Sequence, residues 1–141
     1  MSAVLSGLAG AGNTLWDRAP ASRRHAEDDL QRQIIQYLTI ALPPNAVVFH
    51  IPNGGLRSKT SAARLKGLGV TAGVPDLLVV WHGRALFIEL KASRGVVSAA
   101  QKAMARRLIY CGAEVMCCRS LAEVEAALRE ATVPLKASVA A

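Results

Sequence analysis

The chain has 141 residues, 52% apolar and 19% charged, with 17 Lys and Arg against 10 Asp and Glu, a net charge of +7 and a pI near 9.9. That length suits one domain around a single core, and that apolar content excludes a disordered chain. The charge balance favours a polyanion, nucleic acid ahead of a membrane surface because no basic amphipathic anchor helix is found, with a merely soluble basic protein as the plain alternative.

Residues 1–20, rich in Gly, Ala and Ser, read as a flexible N-terminal tail. The run "AVLSGLAGAG" is broken by Ser and Gly and carries no preceding positive charge, so it does not read as a secretory signal. A helix is expected from about Arg24 to Ala41, with Leu30, Ile34, Leu38 and Ala41 on one apolar face and Pro43-Pro44 ending it. "AVVFHI", from Ala46 to Ile51, reads as a strand, and "PNGG" after it as a turn or loop. The stretch from Gln33 to Leu56 has no formal charge, but its prolines, Asn45, His50 and the Asn53-Gly54-Gly55 run interrupt it too often for a membrane span.

"KTSAARLKGLG" is expected to form a short helix closing in a Gly-rich loop. Gly67, Gly69 and Gly73 have the wrong spacing for a dinucleotide fingerprint and precede a strand where the fingerprint would follow one, so no nucleotide cofactor is implied. Two strands follow, "DLLVVW" and "RALFIEL", joined by His82-Gly83. "SAAQ" and "SLAE" are capping-box patterns that open helices at Ser98 and Ser120, with the strand "EVMCCR" between them. The expected fold is therefore α/β, a mixed four-stranded sheet flanked by helices, with a folded domain over residues 21–131 and a C-terminal tail over 132–141. Cys111, Cys117 and Cys118 form neither CxxC nor a Cys-His zinc pattern, and read as reduced, packing thiols of a cytoplasmic protein. His25, His50 and His82 are scattered and read as structural, His82 in the turn.

The hairpin carries the chemistry. If His82-Gly83 is a two-residue turn, Trp81 faces Arg84 and, by the same count, Asp76 faces Glu89. Opposed side chains have Cβ atoms roughly 4.5–5.5 Å apart on one face of the sheet. Two carboxylates at that distance repel, and a divalent cation such as Mg²⁺ accepts both as oxygen ligands. Lys91 shares their face by alternation, where an ammonium can orient a water or stabilise charge developing on a phosphodiester. The plain alternative makes all three solvated residues at strand ends. Glu27 lies on the inward stripe of the first helix, and Gln101 on the core side of the third. Either can join the site; equally, Glu27 can be a carboxylate favoured by the helix dipole and Gln101 the capping residue, or both roles at once. The acids are bracketed by positive segments: Arg32, Arg57, Lys59, Arg64 and Lys66 before them, and Lys91, Arg94, Lys102, Arg106 and Arg107 after. Such a distribution suits a phosphate-gripping cleft, and with 4% aromatics backbone readout is expected over base stacking.

"GVPDLLVV" followed by "FIELKASRGVVSAAQ" resembles the PD-(D/E)XK nuclease superfamily, specifically the virus-type replication-repair nuclease (VRR-NUC) domain. The likeness extends from "EDDLQRQIIQYL" through "PNGG" and "GLGVTAGVPD" to "LIYCGAEVMCCRSLAEVEAAL", about Ala26 to Leu128. It implies a restriction-endonuclease-like core in α-β-β-β-α-β order. It also implies Mg²⁺ or Mn²⁺ held by Asp76, Glu89 and the Leu90 carbonyl, with Lys91 positioning the attacking water, Glu27 completing the site and Gln101 supporting it. Arg57, Lys59, Arg64, Lys66, Arg94 and Lys102 are then the candidate nucleic-acid contacts. Small stand-alone members, often phage-encoded, are similar in length and are associated with homodimers that cut branched DNA, including four-way junctions. The expected activity is a metal-dependent, structure-selective DNA endonuclease, with RNA still open as substrate. An inactive nucleic-acid-binding or assembly module of the same fold is the alternative.

Overall fold

The computed structural model describes residues 21–52 and 58–140; the proposed tail over 1–20, Arg57 and the Asn53-Gly54-Gly55 loop lie outside them. The order is α1 (Ala21–Ala41), β1 (Ala46–His50), α2 (Lys59–Gly67), β2 (Leu77–Trp81), β3 (Arg84–Leu90), α3 (Ala99–Tyr110), β4 (Glu114–Cys118) and α4 (Leu121–Glu130). The strands form one sheet in the order β1-β2-β3-β4. β1, β2 and β3 run as an antiparallel meander, and β4 joins β3 in parallel after the α3 crossover. This is the mixed sheet expected from the sequence. No described helix is long and apolar enough to cross a membrane.

One face of the sheet holds the core. Leu77, Val79, Leu86 and Ile88 point to that side and are fully buried against Ile34 and Leu38 of α1 and Val124 and Leu128 of α4. Each such side chain stabilises the fold by about 1.5–3 kcal/mol through removal of apolar surface from water, so this face fixes the architecture. The other face is thinly covered, and Val47 and Phe49 of the edge strand β1 stay about half exposed. Cys118 packs in the core, where burial pushes its thiol up to about 12, whereas Cys111 and Cys117 are exposed. The packing role read for the cysteines thus fits Cys118 alone.

The hairpin turn is the two-residue type. His82 and Gly83 both have positive φ (48° and 72°), the conformation that matches the twist of paired strands, and Trp81 pairs with Arg84. Ser98 caps α3 with a complete capping box: its hydroxyl accepts from Gln101 N–H, and the Gln101 side chain accepts from Ser98 N–H. At α4 the box is not reciprocal. Ser120 accepts from Glu123 N–H, but Glu123 reaches one residue further back, to Arg119 N–H at 2.7 Å. Residues 132–140 lie against the body: Val133 is buried, Lys136 N–H donates to Ala41 O, Tyr37 Oη donates to Ala137 O and Val139 N–H donates to Glu125.

Candidate active site

The C-terminal end of β3 gathers the chain's inward-facing acids. Glu89 is the one buried charged residue among those described, 5% exposed, and points to the face opposite Ile88 and Leu90. Asp76 sits one residue before β2, outside the ladder, although the register of the hairpin continues to it. Its carboxylate replaces a ladder partner: Oδ2 accepts the Leu90 N–H at 2.8 Å. Its carbonyl accepts from Ile51 N–H at 2.7 Å and from His50 Nδ1 at 2.8 Å, so β1 also holds it in place. The cross-strand pair expected from the sequence is therefore realised as a neighbouring bend.

Lys91, just past the strand end, sets Nζ 3.0 Å from Glu89 Oε1. Gln101 donates from Nε2 to the same oxygen at 2.5 Å while its Oε1 accepts from Ser98 N–H. Gln101 thus caps the helix and reaches Glu89 at once, because its amide has a donor end and an acceptor end. Glu27, from the first turns of α1, accepts the Ala92 N–H at 3.2 Å. Gly73 brings the preceding loop onto α3. At φ +81° a side chain is strained, and a Cβ there would stand 2.4 Å from the Ala100 carbonyl oxygen, so only glycine lets the loop before Asp76 pack this closely on the first turn of α3.

The charge in this corner is unbalanced. Burial, then the Asp76 charge, push the Glu89 carboxyl up to about 7, with Lys91 opposing them. Burial also raises Asp76, offset in part by the Leu90 N–H and by Lys91. For Lys91, burial pulls downward, but the Glu89 hydrogen bond and the three surrounding carboxylates outweigh it and the net shift is upward. Three acids thus share one lysine in a poorly solvated pocket.

A family model described as the VRR-NUC domain matches residues 21–122. The chain belongs to the VRR-NUC family. Among solved structures, one described as a "VRR_NUC domain protein" is 23% identical with a TM-score of 0.58, over 73% of this chain and 84% of that one. Another, described as a "VRR_NUC domain", is 20% identical with a TM-score of 0.49, over 74% of this chain and 95% of that one. No curated protein matches significantly. The first likeness agrees with the restriction-endonuclease-like α/β fold of the VRR-NUC chain. VRR-NUC domains are nucleases that generally use divalent metal ions, so the family places this chain among the hydrolases of nucleic acid.

The basic residues read from the sequence of the VRR-NUC chain fall on exposed parts of α2, α3 and the segment after β3. Lys59, Arg64 and Lys66 lie on α2, which has no buried residue, and Lys102 is exposed on α3. Between these helices runs an open groove of about 720 Å³, lined by Leu65 and Lys66 on one side and Ala100, Met104 and Arg107 on the other. Arg94 is exposed in the segment after β3. His50, structural by its sequence context, meets the Asp76 carbonyl through the pairing of β1 with β2, which no local motif encodes.

Proposed function

We propose that this VRR-NUC chain is a Mg²⁺- or Mn²⁺-dependent endonuclease that hydrolyses phosphodiester bonds in DNA, selective for branched structures and acting as a homodimer in the cytoplasm. The observation that carries the reading is the convergence of Asp76, Glu89, Lys91 and Gln101 at one strand end, three of them joined by hydrogen bonds through a single Glu89 oxygen. Selectivity for branches and dimerisation rest on the likeness to small stand-alone members of the family.

The donors fit a hard divalent ion. They are all oxygens, and their mutual repulsion favours a cation between them. Among the described residues no three His, Cys, Asp or Glu side chains are placed to grip an ion together. An ion of the Mg²⁺ type takes carboxylate oxygens and keeps several waters, so it needs few ligands from the chain. Asp76 and Glu89 would hold it with the Leu90 carbonyl, and Glu27 would add charge from Ala92. When bound, such an ion polarises the phosphodiester and lowers the pKa of its water.

The residues of the chain do the rest. Gln101 locks the Glu89 rotamer, because its own amide is pinned at Ser98. Lys91 presents an ammonium 3.0 Å from Glu89, where it orients the attacking water and stabilises charge developing on phosphorus. Lys59, Arg64, Lys66, Arg94 and Lys102 hold the phosphate backbone without reading its sequence. Incubation of the purified protein with plasmid, four-way junctions and single-stranded RNA, with Mg²⁺ or with chelator, tests the reading. Metal-dependent nicking of DNA, strongest on the junction, is expected. Binding without cleavage in any metal assigns the chain instead to the inactive, nucleic-acid-binding class.

A further inference from the structure

The chain after β3 makes a tight reversal whose support comes from elsewhere in the fold. Lys91 N–H still donates to Cys118 O at 3.1 Å, as the last bond of the parallel ladder. The backbone then turns from Ala92 to Gly95, closed by Gly95 N–H donating to Ala92 O at 2.8 Å. This turn bonds the site at one point and leaves little room beside it at another. Ala92 N–H holds Glu27 Oε1, and at Gly95 a Cβ would stand 3.2 Å from Glu27 Oε1 and 3.2 Å from Lys91 Cδ. Drift of the turn would therefore loosen the Glu27 carboxylate and change the space left for the Lys91 stem.

Arg119 holds that turn. It occupies the single-residue step between β4 and the α4 cap, where its own N–H is fixed by Glu123 Oε2 at 2.7 Å. From there Nη1 donates to Ala92 O at 2.9 Å and to Gly95 O at 2.7 Å. The planar guanidinium bridges two carbonyls that a short hydroxyl or amide could not span, and its charge makes both bonds strong. The non-reciprocal cap of α4 gains a purpose here: Glu123 fixes the backbone of the residue whose side chain braces the turn.

We propose that Arg119 is a positioning residue of the nuclease site, acting through the Ala92–Gly95 turn on Glu27 and Lys91. This rests on the nuclease reading above, so the test has one arm that needs no activity. Misplaced supporting groups of this kind typically cost about 10–100-fold in activity. Arg119→Ala is expected to lower kcat within that range while KM for DNA stays within about twofold, since the side chain grips the turn and not the substrate. Arg119→Lys, which retains a charged donor, recovers part of the loss. Arg129→Ala, which severs that side chain's bonds to Glu125, Ala137 and Ser138, serves as the comparator for destabilisation alone and keeps wild-type kcat. In parallel, hydrogen exchange at the Ala92 amide should quicken in Arg119→Ala while the β4 and core β3 amides keep their protection.

Wild-type kcat in Arg119→Ala, or unchanged Ala92 exchange, overturns the brace. So does an equal loss of kcat in Arg129→Ala, which assigns the effect to general loosening. A wild-type protein with no cleavage at all overturns the nuclease reading instead, and the exchange arm still judges the brace.

Discussion

Each end of β3 carries an acid–base pair, and the two pairs differ in nearly every physical respect. At the start of the strand, Arg84 meets Glu114 of β4 in a fork, Nε to Oε1 at 2.7 Å and Nη2 to Oε2 at 2.8 Å. One charge balances one charge, and both side chains remain about a third exposed. At the far end Lys91 meets Glu89, but their side chains are only 12% and 7% exposed, and Asp76 and Glu27 add two further acids. The first pair is complete in itself. The second has a surplus of negative charge in a poorly solvated place, which costs stability and which the proposed divalent cation would offset.

The largest test breaks the second pair by removing charge alone. Asp76→Asn or Glu89→Gln should lower metal-dependent cleavage by at least about 10³-fold with an unchanged circular dichroism spectrum. Glu114→Gln, the same chemical change at the other end, should leave turnover as it is. Cleavage retained in either acid variant would remove the basis of the proposed mechanism. Next in size is Lys91→Ala, expected to reduce turnover by about 10²-fold while DNA affinity falls by less than about threefold. Equal losses in binding and turnover would assign Lys91 to substrate grip alone.

A smaller effect reads the surplus charge as stability. Glu89 titrates near 7 in the folded protein and near 4.5 in its ordinary state. Between those values the native chain binds a proton that the unfolded chain has released, so stability falls as pH rises from about 4.5 to 7 and then levels. The upward shift of Asp76 acts in the same direction. In chelator, Tm measured by scanning fluorimetry should decline across that window, and Glu89→Gln should flatten the decline. Mg²⁺ should raise Tm at pH 8 by more than at pH 5.5, where a proton already occupies the carboxylate. A pH-independent Tm in the wild type would show that Glu89 is solvated after all.

Much of this was legible in the chain itself. The β-hairpin announced its register because His82-Gly83 permits only a short turn, and that register places Asp76 near Glu89. Glu27 and Gln101 were visible as polar residues on apolar stripes, which is a local pattern. What escaped was non-local. Asp76 lies outside the ladder because the Leu90 amide takes its carboxylate, and that bond joins residues 14 apart in sequence. Arg119 reads as an ordinary basic residue before a helix cap; its value depends on a turn 24 to 27 residues earlier that only the parallel pairing of β3 with β4 brings beside it. The packing of residues 132–140 rests likewise on contacts with α1 and α4 that carry no periodic signature.

The smallest effect belongs to the complete pair, and its smallness is informative. Arg84 also donates to Thr132 Oγ1 at 3.3 Å and lies 5.4 Å from the Trp81 ring centroid, so its guanidinium is well used. Yet a partly exposed ion pair contributes only about 0.2–1 kcal/mol, because water screens the charges it would otherwise release. Arg84→Met should therefore lower unfolding free energy by about 1 kcal/mol in urea titration and leave cleavage unchanged. A double-mutant cycle with Glu114→Gln should return a coupling of the same size. A coupling several times larger would mean that this end of β3 is as poorly solvated as the other, and the contrast between a finished pair and an unfinished one would then rest on the acid count alone.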